Sequence, residues 1–266
     1  MRDLGIINSD EPFISLLSQG MVLQNGQKMS KSKGNTIDPD DIIKKYGADT
    51  IRLYIMFSAP PEQSLEWSDS AIEGSFKFLK RLWALTYKIT EISGSKNENL
   101  QDIKFTKTKI HKTIKKVSLD IFERHSYNTA IASIMELQNE LIKHSNSKKP
   151  DYDTLLEGIE VVLKMLSPIV PHITQELWRS IGMTSNLSSE SWPRLDEEML
   201  VEYEKEIIVQ VNGKLRGKLL VRLNQSEEEI VKVIKSTKDI YKHIEGSVII
   251  KTIYIKEKLI NYVLKK

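Results

Sequence analysis

The chain has 266 residues, 40% hydrophobic and 28% charged, with a formal net charge of +3, the balance of a soluble globular protein with room for one to three domains. It has no cysteine, which excludes disulfides, thiol nucleophiles and cysteine zinc sites. Its five histidines (His111, His125, His144, His172, His243) are scattered rather than set at metal-ligand spacing, and no apolar run approaches the roughly 20 residues of a membrane helix. In chain order, Met1–Gly5 reads as the end of a helix, and residues 16–23 read as a strand. Asn25-Gly26 then offers a tight turn, because both residues tolerate positive φ. The returning arm delivers Lys28-Met29-Ser30-Lys31-Ser32, followed by Lys33-Gly34-Asn35. Two lysines and two hydroxyls on a short loop with a glycine behind it suit a spreading negative charge, such as phosphate.

Helices follow. Asp38-Pro39-Asp40-Asp41 is a helix start, with a capping carboxylate and proline at the first helical position, and Gly47 is its stop. A second helix spans about Asp49 to Phe57, ended by Pro60-Pro61. Ser70 with Glu73 predicts a capping box for a third, on which Ile72, Phe76, Leu79, Trp83 and Tyr87 fall at helical spacing. Residues 94–103 read as a loop. Three apolar stripes then predict antiparallel packed helices. The first is Ile110, Ile114, Val117 and Ile121; the second Ala130/Ile131, Ile134, Leu137/Gln138 and Leu141; the third Leu155/Leu156, Ile159, Val162/Leu163 and Leu166. Pro168 and Pro171 break the last, and a short helix carries Ile173, Leu177, Trp178 and Ile181. Residues 182–206 read as loop, with Trp192-Pro193 against the bundle. His111 and Trp178 read as packing or capping residues.

From Ile207 the period changes to two. Residues 207–211, Asn212-Gly213 and residues 214–221 predict a hairpin, Ser226 with Glu229 a capped helix reaching about Ile244, and 248–255 and 259–264 two more strands. Alternation places Lys214, Arg216 and Lys218 on one face and Leu215 and Leu219 on the other. The net charge conceals an asymmetry: residues 205–266 hold 14 Lys and Arg against 7 Asp and Glu, and residues 1–204 hold 25 against 29. A further run, Lys104, Lys107, Lys109, Lys112, Lys115 and Lys116, has no acid within it. Localised basic surface suits a polyanion partner, though it is equally the look of solvated lysine-rich faces.

These motifs carry a resemblance. Residues 28–32 read KMSKS, a signature of class I aminoacyl-tRNA synthetases. Residues 20–83 are similar to the post-catalytic region of bacterial leucyl-tRNA synthetases. HKTI (111–114), NTAIASIMEL (128–137), PHITQELW (171–178) and VQVNGKLRGKLL (209–220) continue the likeness in order. Isoleucyl enzymes commonly end in a cysteine zinc module and valyl enzymes in a coiled coil; neither is present here. The leucine-specific insertion that many bacterial leucyl enzymes carry before KMSKS is replaced by a bare hairpin.

The resemblance implies a mainly α chain in four parts. Residues 1–37 would end a class I Rossmann catalytic domain, 38–93 connect, 94–206 form the class Ia antiparallel bundle, and 207–266 form a small α+β tRNA-binding domain. It implies leucine activation with ATP and transfer to tRNA(Leu). Lys31 acts on the leaving diphosphate with Lys28 assisting, and Met29, Ser30 and Ser32 complete the ATP loop. Lys77, Arg81, Lys214, Arg216 and Lys218 contact tRNA, with Lys80 beside the first two. Mg²⁺ accompanies ATP in the complete enzyme, and the chain itself binds no metal. The complete enzyme is expected to be monomeric and cytoplasmic, with no membrane partner. The other class I signature, His-x-Gly-His, does not occur in these 266 residues, so leucine would be reached only through an N-terminal half. The alternatives are a tRNA-binding protein without ligase activity and one subunit of a split synthetase.

Overall fold

Asp38 takes extended backbone and its carboxylate accepts the Asp40 N–H at 2.9 Å, so α1 (Pro39–Tyr46) starts where the sequence places its cap. Gly47, at φ 85°, stops α1 and opens α2 (Ala48–Ser58). The computed structural model describes residues 1–266 except 12, 98, 201–203, 223–225, 257 and 266. The chain is mainly α and divides into two units, Met1–Met199 and Leu200–Lys266.

In the first unit, a hairpin of β1 (Val22–Gln24) and β2 (Gln27–Lys28) turns at Asn25 and Gly26, with φ 51° and 72°. The expected strand over 16–23 forms only from Val22. A strand needs a partner, and the only one β1 finds besides β2 among the described residues is β3 (Leu65–Glu66), which pairs with it in parallel. The first residues form a single 3-10 turn, Arg2–Leu4, closed by Gly5.

Helix α3 (Asp69–Glu91) is capped by Ser68, two residues before the expected cap of the Ser70–Glu73 box. Ser68 is extended and its Oγ accepts the Ala71 N–H at 3.3 Å, while Glu73 pairs with Lys77 at 2.7 Å. Its buried face also differs from the expected stripe. Ile72, Phe78, Leu79, Leu82, Leu85 and Ile89 are buried, Phe76 is half-buried, and Trp83 and Tyr87 are exposed.

Helix α4 (Leu100–Phe122) begins inside the expected 94–103 loop, because Asn99 caps it by accepting the Gln101 N–H. α5 (Tyr127–Ser145), α6 (Tyr152–Leu166) and α7 (Pro171–Ser180) follow. The three predicted stripes meet: Ile110, Ile114, Ile131, Leu137, Leu155 and Ile159 lie in one core with Leu53 and Leu82. Burying such a side chain contributes about 1.5–3 kcal/mol. Gly158 permits the close crossing, since a Cβ there would meet Leu141 Cδ2 at 2.4 Å. Trp192 docks as expected, its Nε1 donating to Ser118 Oγ at 2.8 Å and its ring edge-on to Phe122. His111 Nδ1 accepts the Asp196 N–H, and Trp178 is buried.

His144 is buried between helices. Its Nε2 accepts the Asp151 N–H at 3.1 Å, so the proton sits on Nδ1, 3.4 Å from Thr106 Oγ1. Burial holds this imidazole's pKa below its ordinary value, against the pull of Asp151. The unfolded ring therefore binds protons that the folded ring refuses. Stability is full above about pH 6.5 and falls as the pH drops towards the folded pKa. The melting midpoint should decline between about pH 7 and pH 5, and His144→Gln should flatten that decline. An unchanged pH dependence in H144Q would assign it to other groups.

In the second unit, β4 (Glu204–Val211) and β5 (Lys214–Arg222) turn at Asn212 and Gly213, φ 49° and 76°. The Ser226–Glu229 box caps α8 (Glu227–Ser236) reciprocally. The expected run to Ile244 breaks at Thr237, and α9 (Lys238–Tyr241) follows. β6 (Ile249–Ile255) and β7 (Leu259–Leu264) complete a sheet of order β5-β4-β7-β6, with β4 and β7 parallel. Ile207, Val209, Ile230, Ile234, Ile260 and Tyr262 form its core, where burial pushes the Tyr262 phenol to about 12.

Candidate phosphate loop and nucleic-acid surfaces

The β1–β2 hairpin ends in a loop whose geometry follows from three braces. First, the Met29 N–H donates to the Val22 carbonyl at 3.0 Å. Second, Asn35 spans the loop, its Oδ1 accepting the Ser30 N–H at 2.9 Å and its Nδ2 donating to the Lys28 carbonyl at 3.2 Å. Third, Lys31–Lys33 form one 3-10 turn closed by Gly34 at φ 64°, whose N–H reaches the Lys31 carbonyl at 3.2 Å. Lys28, Lys31, Ser32 and Lys33 are exposed, Met29 and Ser30 half-buried, and the Ser30 and Ser32 hydroxyls lie 3.2 Å apart. Among the described residues these three lysines have no ion pair. Unneutralised cations on a pre-shaped loop can meet phosphate without first breaking an internal contact.

The loop is tied to the helices behind it. Glu66 in β3 accepts the Gly26 N–H at the hairpin turn. The buried Tyr54 hydroxyl donates to the Glu66 carbonyl and accepts the Ser68 N–H, each at 2.9 Å. Arg52, two residues earlier on α2, donates to the Ile169 and Pro168 carbonyls at 2.8 and 2.9 Å, and Asp49 caps α7 by accepting the Ile173 N–H at 2.7 Å. The loop thus stands on the bundle through β3 and α2.

Gly20 sets the hairpin's distance from this support. Its N–H donates to the Pro61 carbonyl at 2.8 Å, and a Cβ there would lie 2.1 Å from the Gln63 carbonyl oxygen. Gly20→Ala should shift the hairpin at a cost of about 1–3 kcal/mol. Amide exchange at Leu65 and Trp67, whose N–H groups donate to the Met21 and Leu23 carbonyls, should then quicken on the order of 10- to 100-fold if it proceeds by local opening. Unaltered exchange in G20A would show that the hairpin absorbs the methyl group.

Sequence reasoning named the loop's charged residues but missed Asn35 as its brace, and Gly20, Tyr54 and Glu66 as its support. An Asn after Gly is a weak hint of a turn. Contacts across 40 residues, such as Gly26 to Glu66, leave no local signal.

On α3, Lys77 is engaged by Glu73, while Lys80 and Arg81 are exposed. The 104–116 lysine run, acid-free in sequence, acquires acids from its neighbours. Lys107 pairs with Glu157, Lys109 with Glu136, and Lys116 with Asp120 at 2.6 Å. Three of the six lysines are thereby paired.

In the terminal hairpin, Lys214, Arg216 and Lys218 are all exposed, but the expected single basic face is interrupted. Val209 pairs with Gly217 and Gln210 with Leu215, so Arg216 is the extra residue of a bulge. Cross-strand partners share a face. Leu215 therefore lies with Gln210 and Lys218 on the uncovered face, 58% exposed, while Lys214 lies on the face of buried Val211. Leu219 anchors the core as expected. Beside the bulge, a Cβ at residue 217 would stand 2.7 Å from Ile240 Cγ1, so the strand presents a glycine there. Lys218 also pairs with Glu206 at 2.7 Å.

Among the described residues no group of three or more His, Asp or Glu could hold a metal ion, and no helix is long and apolar enough to cross a membrane.

A lysine-bearing hairpin loop seated on an α-helical bundle, followed by a small α+β unit, is the build of a class I tRNA ligase body. Residues 4–68 match the model of class I tRNA synthetases (I, L, M and V), and residues 105–254 that of the anticodon-binding domain of tRNA ligase. The leucine–tRNA ligase of Marinomonas sp. (strain MWYL1) is 46% identical over 267 residues, covering 99% of this chain and 33% of the relative. That of Fervidobacterium nodosum is 46% identical over 271 residues, covering 100% and 33%. The crystal structure of the Agrobacterium radiobacter K84 agnB2 LeuRS–tRNA–LeuAMS ternary complex superposes with a TM-score of 0.70 at 29% identity, over 100% of this chain and 34% of that one. Mycobacterium tuberculosis methionyl-tRNA synthetase in complex with methionyl-adenylate, at 17% identity and a TM-score of 0.55 over 63% of this chain and 38% of that one, shares the fold. The chain belongs to the family of tRNA ligases with this anticodon-binding domain, and it spans about a third of the length, the C-terminal third, of the leucine–tRNA ligases it matches.

Proposed function

We propose that the chain supplies the ATP-phosphate loop and the tRNA-contacting surfaces of a leucine–tRNA ligase, which activates leucine with ATP and transfers it to tRNA(Leu). The observation that carries this reading is the KMSKS loop, braced by Asn35 with its lysines exposed, in a chain similar along its whole length to leucine–tRNA ligases.

In activation, a leucine carboxylate oxygen attacks the α-phosphorus of ATP. The bond from that phosphorus to the bridging oxygen breaks, and diphosphate leaves with the electron pair. Negative charge grows on the leaving group, so a cation there binds the transition state more tightly than ground-state ATP. Lys31 fills that role and Lys28 assists; the Ser30 and Ser32 hydroxyls donate to phosphate oxygens. Mg²⁺ arrives with ATP as part of the substrate. The leucine pocket belongs to the two-thirds of the relatives that this chain does not span. Lys77, Arg81, Lys214, Arg216 and Lys218 contact tRNA phosphates, giving salt-sensitive affinity without base readout. The complete enzyme acts as a cytoplasmic monomer.

The purified 266-residue chain should shift tRNA(Leu) in a gel and give no leucine-dependent ATP–pyrophosphate exchange, because it holds the KMSKS side of the site without a His-x-Gly-His. Exchange above a no-enzyme control, or no tRNA binding at low salt, would overturn this division of labour.

A further inference from the structure

The outward side of α3 carries a feature that catalysis and phosphate contact leave unused. Phe76, Lys80, Trp83 and Tyr87 succeed one another at three- and four-residue spacing, which aligns them along one side of the helix. Trp83 and Tyr87 are 39% and 40% exposed, although tryptophan is among the most buried residue types on average. Their rings stack on each other, 5.2 Å apart and 28° from parallel. Beside them opens a groove of about 260 Å³, lined by Tyr46, Phe76, Lys80, Trp83 and Ile173 among others.

Lysines flank this groove, and the one carboxylate in its lining, Asp49, is engaged elsewhere. Lys80 Nζ stands 5.6 Å from the Phe76 ring centroid and Lys45 Nζ 4.9 Å from that of Tyr46. The neighbouring row of α3 brings Lys77, Arg81 and Lys88. The acids nearby are engaged: Asp49 caps α7 and bonds His172 at 2.9 Å, and Glu73 pairs with Lys77. A purely apolar partner would have no use for this row of cations. A phosphate backbone alone would have no use for two exposed aromatic faces. A nucleotide uses both, stacking its base on the rings and setting its phosphates against the cations.

We propose that the Trp83–Tyr87 platform and the adjoining groove receive one unpaired nucleobase of tRNA, with Lys80 and Arg81 against its flanking phosphates. This rests on the reading that the chain binds tRNA and names a place where a base is held. Stacking is tolerant of base identity, so the platform selects an unstacked nucleotide in a given position rather than a sequence.

The test uses the full chain and a tRNA(Leu) transcript, titrated at two salt concentrations, with thermal melts of each variant. Trp83→Ala should weaken binding roughly 10- to 100-fold with the salt slope unchanged, because a stacked base releases no counterions. Trp83→Phe, which keeps a ring, should retain most of the affinity. Arg81→Ala should instead lower the slope of log affinity against log salt by about one. Wild-type affinity in both W83A and Y87A would overturn the platform while leaving tRNA binding intact, and would reassign the groove to a protein segment. A W83A loss accompanied by a shallower salt slope would also overturn it, as an electrostatic effect. No binding by the wild-type chain would overturn the tRNA reading and this proposal with it.

Discussion

Lys31→Ala in the complete ligase is expected to lower kcat for leucine-dependent ATP–pyrophosphate exchange on the order of 10²- to 10³-fold, with little change in KM for leucine. The side chain is exposed on a loop already closed by Gly34 and Asn35, so its removal disturbs no packing and leaves the braces in place. What is lost is a charge-assisted contact made chiefly as the diphosphate departs. Ground-state ATP holds its charge further from that point and loses less, which separates kcat from KM. A rise in KM for leucine with kcat intact would remove Lys31 from this role.

Removing residues 207–266 is expected to abolish most tRNA affinity of the chain and to reduce its salt slope by roughly two to three, the release from three phosphate contacts. The second unit has its own core, and the first keeps its helical core without it, so the shortened chain should still melt cooperatively. The loss follows from where the charge is: 14 Lys and Arg against 7 Asp and Glu in residues 205–266, while three of the six lysines in the 104–116 run pair with Glu136, Glu157 and Asp120. Gel shifts of the two chains at low and moderate salt measure the difference. Equal affinities would move the main site to α3.

The bundle was legible because its signal is local. On α5, Ile131, Ile134, Leu137 and Leu141 recur at the helical period with polar residues between them, and all four are fully buried. The α3 face was legible only in part: Ile72 and Leu79 are buried as the spacing predicts, but the helix is apolar on two sides. Phe78, Leu82 and Ile89 compete with Phe76, Trp83 and Tyr87, and only the neighbouring helices decide which set they cover. The strand over 16–23 failed for a similar reason: β1 extends only as far as Leu65 and Glu66, some 40 residues on, can pair with it. In the terminal hairpin, alternation holds through Gly217, and the bulge at Arg216 then places Leu215 outward. At the candidate phosphate loop the residue types alone suggest phosphate contact. The amide that shapes the loop and the tyrosine that supports it act through contacts no local pattern encodes.

The most direct measurement is made on the Marinomonas leucine–tRNA ligase with its matching C-terminal third replaced by this chain, which aligns to it over 267 residues at 46% identity. Leucine-dependent ATP–pyrophosphate exchange and leucylation of tRNA(Leu) are then assayed alongside the parent. The account predicts both activities in the chimera and a fall in the first on the order of 10²- to 10³-fold when Lys31 is changed to alanine. A chimera that melts cooperatively and binds tRNA yet forms no leucyl-adenylate would contradict it.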